Sequence, residues 1–231
     1  MKNLLFKVSL CLSFIFLQTC DNSFQDKFIV NGEIEGLEDT EILILKFDEG
    51  VDIDTVQSVS GKFSYTGSTN KPIKVQLLAQ IDNGLQKLAE FILENSSIKV
   101  QGNVVNIDDI TVSGSQSDKI FNTYLNEDQL LVTQWDSIKV IYDQAKRAND
   151  SINTKKFGDQ LNQILFGDRV NLLKKYVLDY YDESTGPLIP NFCRLEHILT
   201  PDDFLEMYNM LSEESKASYY GQMIKLKAKS N

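Results

Sequence analysis

The chain has 231 residues, 42% of them apolar, and a formal net charge of −10 from 23 Lys+Arg against 33 Asp+Glu. That apolar share is ordinary for a folded protein and does not suggest a disordered chain, and the length suits two small domains. Setting aside Lys2 and Lys7 takes the charge to −12, which repels phosphate backbones and anionic headgroups. Nucleic acid and an electrostatic membrane-surface mode are therefore not expected.

In chain order, the first element is an apolar run from Val8 to Leu17, preceded by Lys2 and Lys7. A basic start followed by a short apolar core is the order of an export signal. About ten residues cannot span a bilayer, which needs roughly twenty. The run ends at Leu17-Gln18-Thr19-Cys20, which resembles the lipobox of bacterial lipoproteins. The resemblance implies acylation (palmitate or a similar chain) at Cys20, as the new N-terminus, and a protein tethered to a membrane of the cell envelope. Plain signal cleavage, leaving a soluble periplasmic protein, is the alternative. Residues 1–19 are thus expected to be a signal peptide and 20–26 a tether. With Cys11 in the signal and Cys20 acylated, Cys193 is the one remaining thiol. No intramolecular disulfide is expected, so the fold must stand without staples.

From Phe28 to about Val112 the apolar period is mostly two, the period of a half-buried strand. Phe28, Val30, Gly32 and Ile34 alternate with Ile29, Asn31 and Glu33. Ile42 to Leu45 is continuous and predicts a strand buried on both faces. Ser60-Gly61 predicts a turn before Phe63 and Tyr65, and Asp82-Asn83-Gly84 a tight hairpin. Short strands separated by turn residues argue an antiparallel β-sandwich or open barrel over residues 27–115. At Gly114-Ser115 the period changes. Ser115 or Ser117 can cap a helix carrying Ile120, Tyr124, Leu131, Trp135, Ile138, Tyr142 and Ala145 on one stripe. A second helix after Asn149-Asp150-Ser151 aligns Phe157, Leu161, Ile164, Leu172, Tyr176 and Tyr180, with Gly158 and Gly167 against its continuity. Gly186-Pro187 and Pro190 predict breaks. Thr200-Pro201-Asp202-Asp203 predicts a helix start, and Ser212-Glu213-Glu214 a last helix to about Leu226. The expected class is α+β, with strands first and a helical region at 116–231.

The β half resembles a domain of unknown function that precedes thioredoxin-like (TlpA/ResA-type) domains in bacterial envelope lipoproteins. The resemblance rests on Phe28-Ile29-Val30-Asn31-Gly32-Glu33-Ile34-Glu35-Gly36-Leu37, Ile53-Asp54-Thr55, Gly61-Lys62-Phe63-Ser64-Tyr65-Thr66-Gly67, Pro72, Phe91-Ile92-Leu93-Glu94-Asn95 and Val112-Ser113-Gly114-Ser115, in that order. The helical region resembles the segment that joins the two domains in those relatives, with Leu211-Ser212 and Tyr220-Gly221 resembling its closing stretch. No Trp-Cys-x-x-Cys follows here and Trp135 is far from any cysteine, so the relatives' redox activity is not carried over.

Several residue groups are weighed for chemistry. Cys193, beside Arg194, would be a mixed-disulfide thiol, or more plainly a buried small hydrophobe on a helix. His197, with Glu196, Asp202 and Asp203 nearby, lacks any spaced ligand partner and suits a surface or capping role. Asp48, Glu49, Asp52 and Asp54 cluster around a turn without the ligand order of a calcium loop. Tyr180-Tyr181 and Tyr219-Tyr220 would line a groove, or pair one core-facing with one half-exposed ring. Asp54-Thr55-Val56, Asp136-Ser137-Ile138 and Asp150-Ser151-Ile152 resemble an O-glycosylation triplet of some Gram-negative envelopes, with only Ser151 expected in an accessible loop. Lys225, Lys227 and Lys229 form a basic end. No catalytic residue, cofactor or metal is expected. The function expected is that of a non-catalytic scaffold or interaction module of the envelope, with a membrane anchor and an envelope protein partner, a thioredoxin-like one by the resemblance. The alternative is a lipoprotein that captures a peptide or glycan.

Overall fold

The computed structural model describes residues 26–81 and 84–230. The signal, Cys20 and most of the tether lie outside the described residues, as do Asp82 and Asn83. Strands β1 (Phe28–Glu35), β2 (Thr40–Phe47), β3 (Val51–Ser58), β4 (Lys62–Gly67), β5 (Ile73–Ile81), β6 (Gly84–Leu93), β7 (Ser97–Asn103) and β8 (Asn106–Ser113) come first. They form two four-stranded sheets, ordered β4-β1-β7-β8 and β3-β2-β5-β6. The sheets stack as a sandwich, not a closed barrel. Phe28, Val30 and Ile34 of β1 face Ile42, Ile44, Val75 and Leu77 of the other sheet across one apolar core.

The alternation of β1 holds throughout, apolar in and polar out. Gly32 keeps the inward register without a side chain because the Phe63 ring fills its place; a Cβ there would lie 1.9 Å from that ring. Ser60 and Gly61 both take positive φ, 51° and 76°. This tight turn carries the chain from β3 in one sheet to β4 in the other. The β5–β6 hairpin closes at the pair Ile81–Gly84, as the Asn-Gly signal predicts. Two expectations need correction. Ile42 and Ile44 are buried, but Leu43 and Leu45 on the outer face are only half-buried, because the helices cover the β5–β6 side of that sheet. The sandwich is also not wholly antiparallel: β1 and β7 pair in parallel, Ile29 with Ser97 through Glu35 with Asn103. The whole second sheet intervenes between these strands in sequence, so no hairpin dictates their relative direction.

Helices α1 (Gln116–Arg147), α2 (Ser151–Asn162), α3 (Arg169–Asp179), α4 (Thr185–Phe192), α5 (Pro201–Met210), α6 (Glu213–Ala217) and α7 (Tyr219–Lys227) follow. Ser115 caps α1, its Oγ accepting from the Asp118 N–H. The single helix expected over 151–180 is instead α2 and α3 joined by a π-helical turn, Gln163–Asp168, in which the Arg169 N–H reaches back five residues to the Ile164 carbonyl. The wide turn resets the phase: Leu161 and Ile164 face inward, then Arg169, Val170 and Leu173. Gly186, Pro187 and Pro190, expected to break the chain, lie inside α4. Gly186 and Pro187 sit in its first turn, where backbone N–H groups need no helical acceptor. Thr200 and Asp203 form a reciprocal capping box at α5. The last helix is split: Ser218 ends α6 and caps α7. Gly221 permits the sharp step, since a Cβ there would fall 2.1 Å from the Ser215 carbonyl oxygen.

The helices build a second apolar core around Tyr124, Leu173, Leu188, Leu195 and Met207, and a single strand residue, Ile92, enters it. Among the described residues, no helix is long and apolar enough to cross a membrane.

Candidate functional sites

Among the described residues, polar side chains meet at several places, of which three are enclosed or line a cavity. The first is the mouth of the sandwich, where Lys46, Asp54 and Tyr65 end the inward rows of β2, β3 and β4. Tyr65 Oη donates to Asp54 Oδ2 at 2.6 Å, and Lys46 Nζ lies 2.9 Å from the same oxygen. The Tyr65 hydroxyl, then Lys46, hold the Asp54 carboxyl below its usual range. Burial, then the neighbouring carboxylate, push the Tyr65 phenol up. Near neutral pH this leaves an ionised acid hydrogen-bonded by a protonated phenol. With Phe28, Asp48, Asp52 and residues 66–70 they line a cavity of about 450 Å³. The predicted acidic cluster thus converges here in part. Glu49 stays outside the cavity lining, 3.6 Å from Lys71, whose Nζ holds Asp48 at 2.6 Å. Lys71 also sits 3.9 Å over the Tyr219 ring, so α7 borders the mouth.

The second is the joint between β6 and α1. The Ile92 N–H donates to Asp118 Oδ1 at 2.9 Å, while Ser117 Oγ donates to Glu94 Oε2 and the Ser117 and Gln116 N–H groups donate to Glu94 Oε1. Each carboxylate takes free donors from the other element: Glu94 from the helix start, Asp118 from the strand end. Burial, opposed by the bonds from Ile92 and Asn122, pushes the Asp118 carboxyl up to about 6, with Glu94 adding repulsion.

The third lies inside the helical core. Arg169 Nε and Nη2 donate to the two oxygens of Asp128 at 2.6 and 2.8 Å. Both side chains are nearly closed to water, 10% and 2% exposed. The π turn aims Arg169 at Asp128. The Tyr124 hydroxyl is buried without a partner among the described residues. Neither the joint nor this pair was read from the sequence. Asp128 falls four residues after Tyr124 on the buried face of α1, and a carboxylate in an apolar stripe is the signal that could have found it.

The remaining candidates are dispersed. Cys193 is half-buried just past the end of α4, not on a helix, with Sγ 3.4 Å from the Pro190 carbonyl. Burial pushes its thiol up, so it stays protonated and weakly nucleophilic. His197 is exposed in the turn after α4. Its expected neighbours are engaged elsewhere: Glu196 with Lys227 at 3.3 Å, Asp203 with Lys174 at 2.8 Å and with the Thr200 cap. Tyr220 is buried and Tyr219 half-buried; Tyr180 packs on Tyr176, and Tyr181 is exposed. Lys225 and Lys227 lie over the Tyr208 and Phe204 rings at the end of α7. Among the described residues, no group of three or more His, Cys, Asp or Glu side chains could hold a metal ion.

The strands and the joint together bound one recognisable unit. Residues 28–121 match the family model of a domain of unknown function, DUF4369. The match runs past the last strand into α1 as far as Phe121, so the matched stretch takes in both carboxylates of the joint. No curated protein matches the chain.

Proposed function

We propose that the protein is a scaffold of the cell envelope, tethered by lipid at Cys20, whose helical arm docks a partner protein. One observation carries the reading. α1 has 32 residues, about 48 Å at 1.5 Å per residue, yet only its first part is packed into the body. From Gln129 on α1 to Gln160 on α2 no residue is buried. The two helices pair along half-buried Trp135, Ile138, Tyr142 and Phe157, and leave Leu130, Val140, Ile141 and Ile152 between 44% and 80% exposed. Scattered apolar surface is normal, but a two-helix arm with exposed apolar residues along its length suits a partner surface. The likeness of the β half to relatives that carry a thioredoxin-like domain favours an envelope protein of that kind as the partner, by analogy alone. Photo-crosslinking in intact cells from Leu130, Val140 and Ile141 tests it. One shared adduct from the arm, and none from Lys99 or Thr111 on the outer face of the sandwich, is expected; no adduct from any arm position sinks the reading. Cys20→Ala should move the protein from the membrane to the soluble fraction.

The mouth cavity favours a second reading, capture of a small ligand. Three carboxylates against Lys46 and Lys71 suit a cationic or hydroxyl-rich molecule. A ligand in excess must raise the melting temperature, and Asp54→Asn must abolish that rise; a screen of amines and saccharides without any shift removes it.

A further inference from the structure

The structure separates the three Asp-(Ser/Thr)-apolar triplets. In the first, Asp54 and Val56 point into the sandwich while Thr55 points out, because strand side chains alternate; Asp54 is also tied to Tyr65 and Lys46. An enzyme that meets Thr55 on one face of the strand would find Asp54 and Val56 on the other. In the second, Ser137 lies mid-helix, its Oγ donating to the Thr133 carbonyl at 2.9 Å, and Ile138 turns toward α2. The third sits at the apex of the arm. Asn149 is left-handed at φ 54° and Asp150 extended at ψ 91°, so Asp150 caps α2, its carboxylate accepting from the Asn153 N–H at 3.0 Å and the Asn153 Nδ2 at 2.7 Å, and Ser151 and Ile152 are the first two residues of the helix and not the loop expected. Ser151 is exposed, and its Oγ makes no hydrogen bond among the described residues. Among the described residues, Ile152 is 80% exposed, next only to Val105 among the large apolar side chains, and no packing accounts for it. A shallow hollow lined by Ile152, Lys155, Lys156 and Asp159 adjoins the hydroxyl.

We propose that Ser151 is an O-glycosylation site, recognised through Asp150 and Ile152. The acceptor is the Ser151 hydroxyl and the donor a glycan carried on a polyprenyl diphosphate. The Ser151 Oγ–C1 bond forms as the C1–O–phosphate bond breaks. The polyprenyl diphosphate leaves with the electron pair, and the hydroxyl proton passes to a base of the transferase. The first turn of α2 suits such an enzyme because helix ends open at little cost. A glycan there would sit at the point of the arm farthest along both helices.

This proposal rests on export of the chain, and one experiment reads both. The protein is purified from the cells that make it, digested with trypsin and mapped by mass spectrometry. The peptide 148–155 should carry a glycan mass that Ser151→Ala abolishes and Ser151→Thr retains, with Ser137→Ala and Thr55→Ala without effect. Sugar on Ser137 or Thr55 instead of Ser151 overturns the site. A bare peptide 148–155 on a chain cleaved before Cys20 overturns the modification and leaves the tether standing. A bare peptide on a chain still carrying residues 1–19 overturns both.

Discussion

The sandwich and the helical region bury their polar groups differently. Among the described residues, the sandwich buries no charged side chain in its core, where Ser58 is fully buried with its hydroxyl unpartnered, and its charged groups gather at the mouth, half open to water. The helical region buries a full ion pair, Asp128–Arg169, and two tyrosine hydroxyls without partners, Tyr124 and Tyr220. A sheet with period two sorts inside from outside residue by residue. A helical layer with an interposed π turn does so less cleanly, and it must pair what it encloses. The difference implies that single substitutions in the helical core should act more strongly than equal ones in the sandwich mouth.

The largest test is Asp128→Ala. Removing one partner leaves the Arg169 charge buried and uncompensated, and urea denaturation should show a loss of about 3–5 kcal/mol. Replacing both residues with apolar ones of similar volume should recover most of it; no recovery would show that the pair does more than neutralise itself. Next is Ile92→Ala. This fully buried strand residue packs with the helices, and truncation should cost about 2–4 kcal/mol. If it uncouples the two regions, two thermal transitions will replace one.

Asp118 gives a dependence on pH. Its carboxyl stands at about 6 in the fold against 3.8 when free. Between these values the folded state binds more protons than the unfolded one. This group therefore adds stability as pH falls from about 6 to about 4, and that gain is absent above pH 6. Asp54, Glu90 and Asp203, whose carboxyls are held low in the fold, act in the opposite sense, each losing its contribution as pH falls through its lowered range. Denaturation of the protein and of Asp118→Asn should diverge in that window; parallel profiles would remove Asp118 from the joint's energetics. A smaller effect, about 1 kcal/mol, is expected when Thr200→Ala removes the α5 cap. The smallest is Ile152→Ser at the tip of the arm, within about 0.5 kcal/mol because nothing packs there. A larger loss would mean that the arm folds against something in the body.

Much of the fold was legible in local pattern. The alternation of Phe28, Val30 and Ile34, the Ser60-Gly61 turn and the Thr200–Asp203 box all appear where the residues place them, because each is decided within a few residues of chain. The candidate sites were less so. The acidic cluster was visible at Asp48, Asp52 and Asp54, but Tyr65 and Lys46, which fix Asp54, come from other strands. The second helix is interrupted at Gln163–Asp168, where Gly167 stood against its continuity, but its phase was not legible because the pattern counts turns of 3.6 residues and the π turn inserts one residue.

By itself the sequence determined the order of strands before helices, their caps and turns, and which face of most strands is apolar. These follow from backbone sterics and short-range hydrogen bonding. Only the tertiary structure decided the parallel pairing of β1 with β7, the stitching of Glu94 and Asp118 across the joint, and the burial of Asp128 against Arg169. Those depend on which distant segments meet, and on how strongly a charge taken from water must find a partner when they do.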